Sequence, residues 1–373
     1  MEKIREINKI KRHYDYLIVG AGLAGSIFAY EASKKGKKCL VIDKRNHVGG
    51  NLYCEEIEGI RVHKYGAHIF RTNDDEVWKY INRFLTFNHF VNSPIANYKG
   101  KLYNLPFNMN TFYQIYKAKT PEEAMKKIEK DKIYKADPFS LEAHALSMVG
   151  KKIYKMLIKG YTEKQWGKDC KDLPKSIMRR IPLRFTFDNN YFNSKYQGIP
   201  IEGYNALFVK LLKNCHVKLN VDYNTNRELF DGVADKIVYT GALDEYYNYC
   251  YGELEYRGLK FENKVLNMKN FQGNAVVNYT ERKIPYTRII EHKHFEFGEQ
   301  DKTVITYEFP LKWVRGDEKY YPINDERNDK LYMKYYKKAQ KDGLILCGRL
   351  AMYRYYDMQD VIKDTLELCK QIL

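Results

Sequence analysis

Three stretches of the sequence predict an α/β chain: a Rossmann-type nucleotide-binding domain with an inserted helical domain and an antiparallel β-sheet domain. Residues 14–51 join strand, glycine turn, helix and second strand. Residues 74–170 show helical periodicity and helix-capping residues. After Gly252 come short segments rich in β-branched and aromatic residues, spaced like antiparallel strands.

The first stretch sets the chemistry. Residues 16–19 are an apolar run of strand length, and Gly20, Gly22 and Gly25 follow in G-x-G-x-x-G spacing around Leu23 and Ala24. Gly20 permits a tight turn, Gly22 lets the backbone approach a pyrophosphate, and Gly25 lets helix pack closely on strand. Residues 26–34 read as a helix whose free N-terminal N–H groups and dipole suit a diphosphate. Residues 38–42 form a second buried strand. It ends in Asp43, where an acid accepting from ribose hydroxyls belongs. The following run, RNHVGGN from Arg45 to Asn51, resembles the R-x-x-x-G-G segment of FAD-binding proteins of the amine-oxidase and glutathione-reductase type. FAD is therefore favoured over NAD.

At 373 residues the chain is long enough for two or three domains sharing one site. The net charge of +17 is carried by scattered lysines that alternate with acids or apolar residues, so an anionic small molecule is expected and nucleic acid is not. Seven cysteines form no C-x-x-C pair, and no secretory signal or spanning helix is evident, so reduced cytoplasmic thiols are expected. His292 and His294 are an i, i+2 pair on an expected strand with no third ligand nearby, so no metal site is expected.

Along the chain, residues 60–68 read as a strand and glycine turn, and 74–87 as a helix through Val77, Trp78, Ile81 and Leu85. Thr120, Pro121 and Glu123 form a helix start with a capping box. Ser140 caps a helix expected to end at Gly160. Residues 274–279, 285–290, 292–297 and 303–309 read as strands. Residues 236–239 and 344–347 return to the nucleotide domain. The expected division is 13–73 and 188–250 in the nucleotide domain, 74–187 mainly helical with a mobile loop near 168–184, 251–334 antiparallel sheet, and 335–373 nucleotide domain again.

Tyrosine and arginine cluster in runs such as residues 160–167, 190–192, 285–288, 320–322 and 354–357. Arginine forks suit phosphate oxygens, and tyrosines add neutral donors and stacking rings. That set fits a second, nucleotide-like anion beside the dinucleotide.

At these runs a resemblance becomes specific. The stretches GAGLAG, DKRNHVGGN, YGAHIF, LPFNM, KGYTEKQWG, YQGIP, FQGNAVVNY, PYTRIIEHKHFE, YYPIND and GRLAMYRYYDM resemble, in order, the UDP-galactopyranose mutase family of bacterial type. KGYTEKQWG and YRYYDM discriminate far better than the glycine motif. The resemblance implies an isomerase that interconverts UDP-galactopyranose and UDP-galactofuranose without net redox. Flavin N5 of reduced FAD attacks the anomeric carbon and expels UDP, and the sugar opens, recloses as a five-membered ring and is recaptured. It further implies NAD(P)H or another reductant, a homodimer, and a product destined for cell-surface glycans.

By the same resemblance, His68, Arg180 and Arg288 are the catalytic candidates, with Arg180 and Arg288 closing on the diphosphate. Tyr161 and Trp166 would pack around the uridine, with Thr162 and Asn278 nearby. Tyr191, Tyr321 and Tyr355 would bond the phosphates, Asn88 would line the sugar end, Asp357 would hold the pocket, and Arg257 is a further candidate. The implied cofactor set is Gly20, Gly22, Leu23, Ala24, Gly25, Asp43, Lys44, Arg45, Gly50, Asn51, His68, Ile69, Arg349, Tyr355, Asp357 and Met358. The sequence departs from the family at Met156–Lys159 (MLIK), where aromatics are expected, and by Asp43 and Ala67 in place of glutamate and proline. An amine-oxidase-like flavin oxidoreductase, a non-catalytic binder, and a mutase for another UDP-hexose such as UDP-N-acetylgalactosamine stand as alternatives.

Overall fold

The computed structural model describes residues 13–135, 139–175, 177 and 183–373. Its first sheet has five strands in the order β16-β10-β1-β2-β9, all paired in parallel. They are β1 (Tyr14–Val19), β2 (Cys39–Ile42), β9 (His216–Lys218), β10 (Ala234–Tyr239) and β16 (Ile345–Leu346). Parallel strands need a crossover, and α1 (Leu23–Lys34) supplies it between β1 and β2. Its buried Ile27, Phe28, Ala29 and Ala32 lie against the sheet region, and α10 (Met358–Ile372) packs beside it. Full burial of a side chain such as Ile27 or Phe28 contributes roughly 1.5–3 kcal/mol.

The second sheet has seven strands in the order β15-β11-β14-β13-β12-β6-β7. These are β6 (Ile95–Tyr98), β7 (Lys101–Asn104), β11 (Tyr256–Leu266), β12 (Val276–Tyr279), β13 (Arg288–Glu291), β14 (Thr303–Lys312) and β15 (Tyr321–Pro322). All pairings are antiparallel except β12 with β6, which run parallel. Two small antiparallel pairs, the hairpin of β3 (Cys54–Ile57) with β4 (Ile60–His63) and the long-range pair of β5 (Phe70–Thr72) with β8 (Tyr196–Gly198), complete the strands.

Helices α2 (Asp75–Ile81), α3 (Met109–Tyr116), α4 (Pro121–Asp131), α5 (Leu141–Ile153) and α6 (Gly160–Trp166) occupy the expected helical stretch. A core of Phe107, Phe112, Leu141, Val149 and Ile153 holds α3 and α5 together. Later come α7 (Tyr204–Leu211), α8 (Leu243–Tyr246) and α9 (Glu326–Lys341).

Four local expectations change. The helical stretch also contains the β6–β7 hairpin, turned by Lys99 and Gly100, both at left-handed φ (54° and 75°). The helix from Ser140 breaks at Gly150 (φ 79°, ψ 171°), and the helical path resumed after it does not stop at Gly160: a π-helical segment, Tyr154–Lys159, leads into α6, which ends at Gly167 with φ 67°. Residues 292–297 are not a strand but a 3-10 turn, His292–Glu296, which sends Phe295 (1% exposed) into the core beside Phe90 and Ile290. Consequently His292 and His294 do not share a strand face. Thr120 does cap α4, but the Glu123 carboxylate reaches back to the N–H of Lys119.

Candidate active site

One cleft of about 850 Å³ opens where the two sheets meet, within the ~300–1,000 Å³ usual for small-molecule sites. Its walls run from the glycine turn to the β12–β13 ends, so one cavity reaches both chemistries expected from the sequence.

At the first end, β1 stops at Val19 and Gly20 turns the chain with φ 109°. A side chain at Gly25 would place Cβ 2.0 Å from the Gly20 carbonyl oxygen, so only glycine lets α1 start this close to the strand. No side chain caps α1 at Gly22, and Gly22, Leu23, Ala24 and Gly25 all line the cleft. Asp43, at the end of β2, accepts from the backbone N–H of Ala21 (2.8 Å) and of Arg45 (2.9 Å), one on each carboxylate oxygen. Each oxygen keeps a second lone pair. Arg45 donates to Asn51 Oδ1 (3.1 Å) and Glu318 Oε2 (2.8 Å), and its guanidinium lies 4.2 Å from the Tyr65 ring centroid.

Midway along the cleft are His68, Ile69 and Arg349. His68 Nδ1 lies 2.7 Å from the Gly66 carbonyl. A carbonyl only accepts, so Nδ1 carries the proton and Nε2 is left as an acceptor. Burial pushes this imidazole down to about 4, keeping it neutral. Arg349 donates to the Tyr320 carbonyl, and no carboxylate pairs with it among the described residues. Burial lowers its pKa, with Arg45 adding to the effect. Arg349 is half-buried on the cleft wall, so an anion bound in the cleft can supply the counter-charge it lacks.

At the far end, Arg288 donates through Nη2 to the Tyr161 hydroxyl (2.7 Å) and lies 3.1 Å through Nε from Glu308 Oε1. That second contact is an ion pair outside hydrogen-bond geometry, since Nε is without a bonded partner. Glu308 is 2% exposed and also accepts from Thr287 Oγ1 (3.1 Å). Burial acts to lower the Arg288 pKa, but the Glu308 carboxylate and surrounding tyrosines raise it overall. Burial raises the phenols of Tyr161 and Tyr321, so both stay protonated donors. Tyr321 and Tyr355 stack at 5.3 Å. Asn278 Oδ1 is buried on the cleft wall without a hydrogen-bond partner, ready to accept from a ligand.

The profile of the UDP-galactopyranose mutase family matches residues 156–355, and that of an NAD(P)-binding Rossmann-like domain matches residues 18–84. The chain is 39% identical over 367 residues to dTDP-fucopyranose mutase of Escherichia coli, covering 95% of this chain and 97% of that one. It is 37% identical over 363 residues to a Klebsiella pneumoniae protein named "Probable UDP-galactopyranose mutase", covering 96% and 94%. The chain belongs to the UDP-galactopyranose mutase family. Family membership makes it an isomerase, which sets aside the amine-oxidase-like and non-catalytic alternatives. Its fold also matches a crystal structure of reduced UDP-galactopyranose mutase, with TM-score 0.72, 12% identity, and 96% and 95% of the two chains covered.

Most residues expected from the family motifs meet in this cleft. Its lining includes Asp43, Lys44, Arg45, Gly50, Asn51, Tyr161, Tyr191, Asn278, Arg288, Tyr321, Tyr355, Asp357 and Met358 besides those above. Four expected residues lie elsewhere. Asn88 is spent on backbone, donating to Phe295 O and accepting from the N–H of Phe90 and Ile199. Thr162 is buried behind Tyr161, and Trp166 packs on the helical core. Arg257 turns away and donates to the Gln165 carbonyl at the C-terminal end of α6 (3.0 Å). Arg180 lies outside the described residues.

The sequence reading missed Glu308, Glu318 and Arg71. Arg71 pairs with Asp357 at 2.5 Å and lies over the Phe192 ring. Glu308 alternates with outward residues along β14, so its place opposite Arg288 follows from strand register. That register could have been found only after β13 and β14 were paired. None of the seven cysteines lines the cleft.

Proposed function

We propose that the chain interconverts UDP-galactopyranose and UDP-galactofuranose with FAD held in the glycine-turn half of the cleft. The observation that carries this is the continuity of one cavity from Gly20 and Asp43, past the unpaired Arg349, to the Arg288–Tyr161–Glu308 cluster. The residues fit the cofactor. The uncapped start of α1 suits a diphosphate, Asp43 has lone pairs for ribose hydroxyls, and Gly25 leaves the required close approach.

Bound and reduced, FAD would supply the nucleophile that displaces UDP from the anomeric carbon, held by the glycine turn, Asp43 and Arg349. The chain supplies position and charge. Arg288 neutralises the departing and returning diphosphate of UDP, and Arg349 would lie against the FAD diphosphate. Tyr161, Tyr191, Tyr321 and Tyr355 offer hydroxyl donors, and Asn278 Oδ1 an acceptor. Glu308 keeps Arg288 aimed. His68 presents a neutral Nε2 to the flavin–sugar side. The two-part division into a nucleotide domain at 13–73, 188–250 and 335–373 and the insertions between belongs to the same proposal, as do a nicotinamide or other reductant, a homodimer, cytoplasmic location and a role in cell-surface glycans.

The test is incubation of flavin-loaded protein with UDP-galactofuranose, with and without dithionite. Pyranose product only under reducing conditions is expected; no product in either condition sinks the proposal. The E. coli relative named for dTDP-fucopyranose supports a second reading, a 6-deoxy sugar on dTDP. Comparing kcat/KM for UDP-galactofuranose and dTDP-fucofuranose decides between them, and a UDP-N-acetylgalactosamine arm tests the remaining hexose alternative.

A further inference from the structure

The run Gly160–Trp166 and its following Gly167 contain a face that the ligand reading does not use. Gly160, Glu163, Lys164 and Gly167 are spaced i, i+3, i+4, i+7 and so share one side of α6. That side is docked on the second sheet. A Cβ at Gly160 would lie 2.4 Å from the Thr280 carbonyl oxygen, and one at Gly167 2.6 Å from Arg257 Nη1. Glu163, 5% exposed, pairs with Arg282 at 3.2 Å. Lys164 Nζ donates to two carbonyls, Tyr279 O (2.7 Å) and Tyr286 O (2.8 Å). Those carbonyls bracket the turn between β12, which carries Asn278, and β13, which starts at Arg288. Tyr161 leaves the same helix toward Arg288.

We propose that Lys164 is a positioning residue for nucleotide-sugar binding, tying the Tyr279 and Tyr286 carbonyls to α6 and so setting Tyr161 against Asn278 and Arg288. The inference rests on the cleft being the nucleotide-sugar site. Burial brings the ammonium down to about 8, opposed by Glu281. The charged groups around it are few. On the turn, Glu281 is paired with Lys283 at 3.5 Å, and Arg282 bridges Glu163 and Asp169. On the helix side Lys159 lies 4.0 Å from Glu163, and on β11 the Arg257 guanidinium reaches the Lys164 carbonyl at 3.4 Å. The Tyr286 ring packs on those of Tyr279, Tyr307 and Phe309. Below about pH 8 the two bonds are charge-assisted; above it a neutral amine makes weaker ones. The hold on the Tyr161–Arg288 pair therefore loosens as pH rises.

The experiment is UDP titration of the FAD-loaded enzyme by calorimetry from pH 6.5 to 9, for wild type, Lys164→Met and Lys164→Arg. Wild-type Kd should rise several-fold between pH 7 and 9. Lys164→Met should bind UDP about tenfold more weakly, without that pH dependence, and with the bound-flavin spectrum unchanged. Lys164→Arg, charged throughout, should keep tight binding at pH 9. UDP titrates identically in every case, so differences between the proteins isolate residue 164. Equal binding by wild type and Lys164→Met, or the same alkaline loss in Lys164→Arg, overturns the inference alone. If Lys164→Met does not fold, the wild-type and Lys164→Arg arms still decide. Absence of any UDP binding by wild type overturns the underlying reading of the cleft, and the inference with it.

Discussion

At the scale of single residues, Arg288 and Glu308 show how a buried charge is made usable. Glu308 is 2% exposed; its counter-charge is Arg288 at 3.1 Å, and the Thr287 hydroxyl donates to it. Removing the arginine strands a buried carboxylate, which costs about 3–5 kcal/mol in comparable pairs, and removes a transition-state donor, which costs about 10²–10³ in rate. Arg288→Ala should therefore lose both stability and turnover. Adding Glu308→Gln should restore most of the thermal stability while turnover stays lost. Melting curves and kcat/KM for the two variants check this; recovery of turnover in the double variant would show that Arg288 acts only as a structural partner. Arg257 illustrates the limit of reading residues from sequence. The family resemblance offered it as a further ligand-side candidate, but nothing in the sequence sets a side chain's direction. The C-terminal carbonyls of α6 claimed it instead.

At the scale of elements, three histidines knit the hairpin of β3 and β4 to β14 beside the cleft. The His68 N–H donates to His63 Nδ1 (3.1 Å), and the His63 N–H to His292 Nδ1 (3.2 Å). His292 Nε2 meets Thr306 Oγ1 at 2.6 Å, and that hydroxyl donates to Asn263 Oδ1 (2.7 Å). His63 and His292 both need a bare Nδ1 to accept. Burial holds His63 well below 6.5 and brings His292 down to about 3. The folded pKa values are depressed, so the stability these rings confer is present above about pH 6.5 and is lost as pH falls toward 3. Between pH 6.5 and 5 the loss from His292 is roughly 1.7 kcal/mol, and His63 adds to it in the same direction. Urea midpoints measured from pH 7 to 5 should fall steeply, and His292→Gln should reduce the slope by about one proton; an unchanged slope would mean His292 does not carry this linkage. Nothing in the local residue pattern announces the device. Residues 292–297 alternate polar and aromatic types like a strand, and tertiary demand for Phe295 and the His292 ring bent them into a 3-10 turn. The β6–β7 hairpin was missed for a related reason, since its turn uses Lys99 with Gly100 in place of the Asn-Gly or Asp-Gly pair that signals such a turn. By contrast, strand, glycine turn, helix and acid around Gly20–Gly25 were legible, because a local steric rule dictates each part.

At the scale of the whole molecule, the cleft wall comes from both sheets: Gly20, Asp43, Thr240 and Gly348 from the parallel sheet and its loops, Asn278, Arg288, Glu308 and Tyr321 from the other. That partition is why the cofactor half of the site could be read from one stretch, whereas the other half needed motifs spread over the chain and strand pairings that the sequence does not announce. It also makes the ligand part of the fold. Arg349 sits between the two halves as a half-buried cation with no carboxylate partner among the described residues, a partial desolvation cost carried by the apoprotein until an anion arrives. FAD at 100 times its Kd should stabilise the folded state by about 2.7 kcal/mol. For 373 residues this is a rise of roughly 3 °C in Tm, taking ~2.1 cal/mol/K per residue for the unfolding entropy. Arg349→Met removes the uncompensated charge while keeping an apolar stem of similar length. Its apoprotein should melt above the wild-type apoprotein, and the shift on adding FAD should shrink. Scanning calorimetry of both proteins with and without FAD measures the four transitions. A lower apo Tm with an undiminished FAD shift would show that Arg349 supports the fold and contributes nothing to holding the dinucleotide.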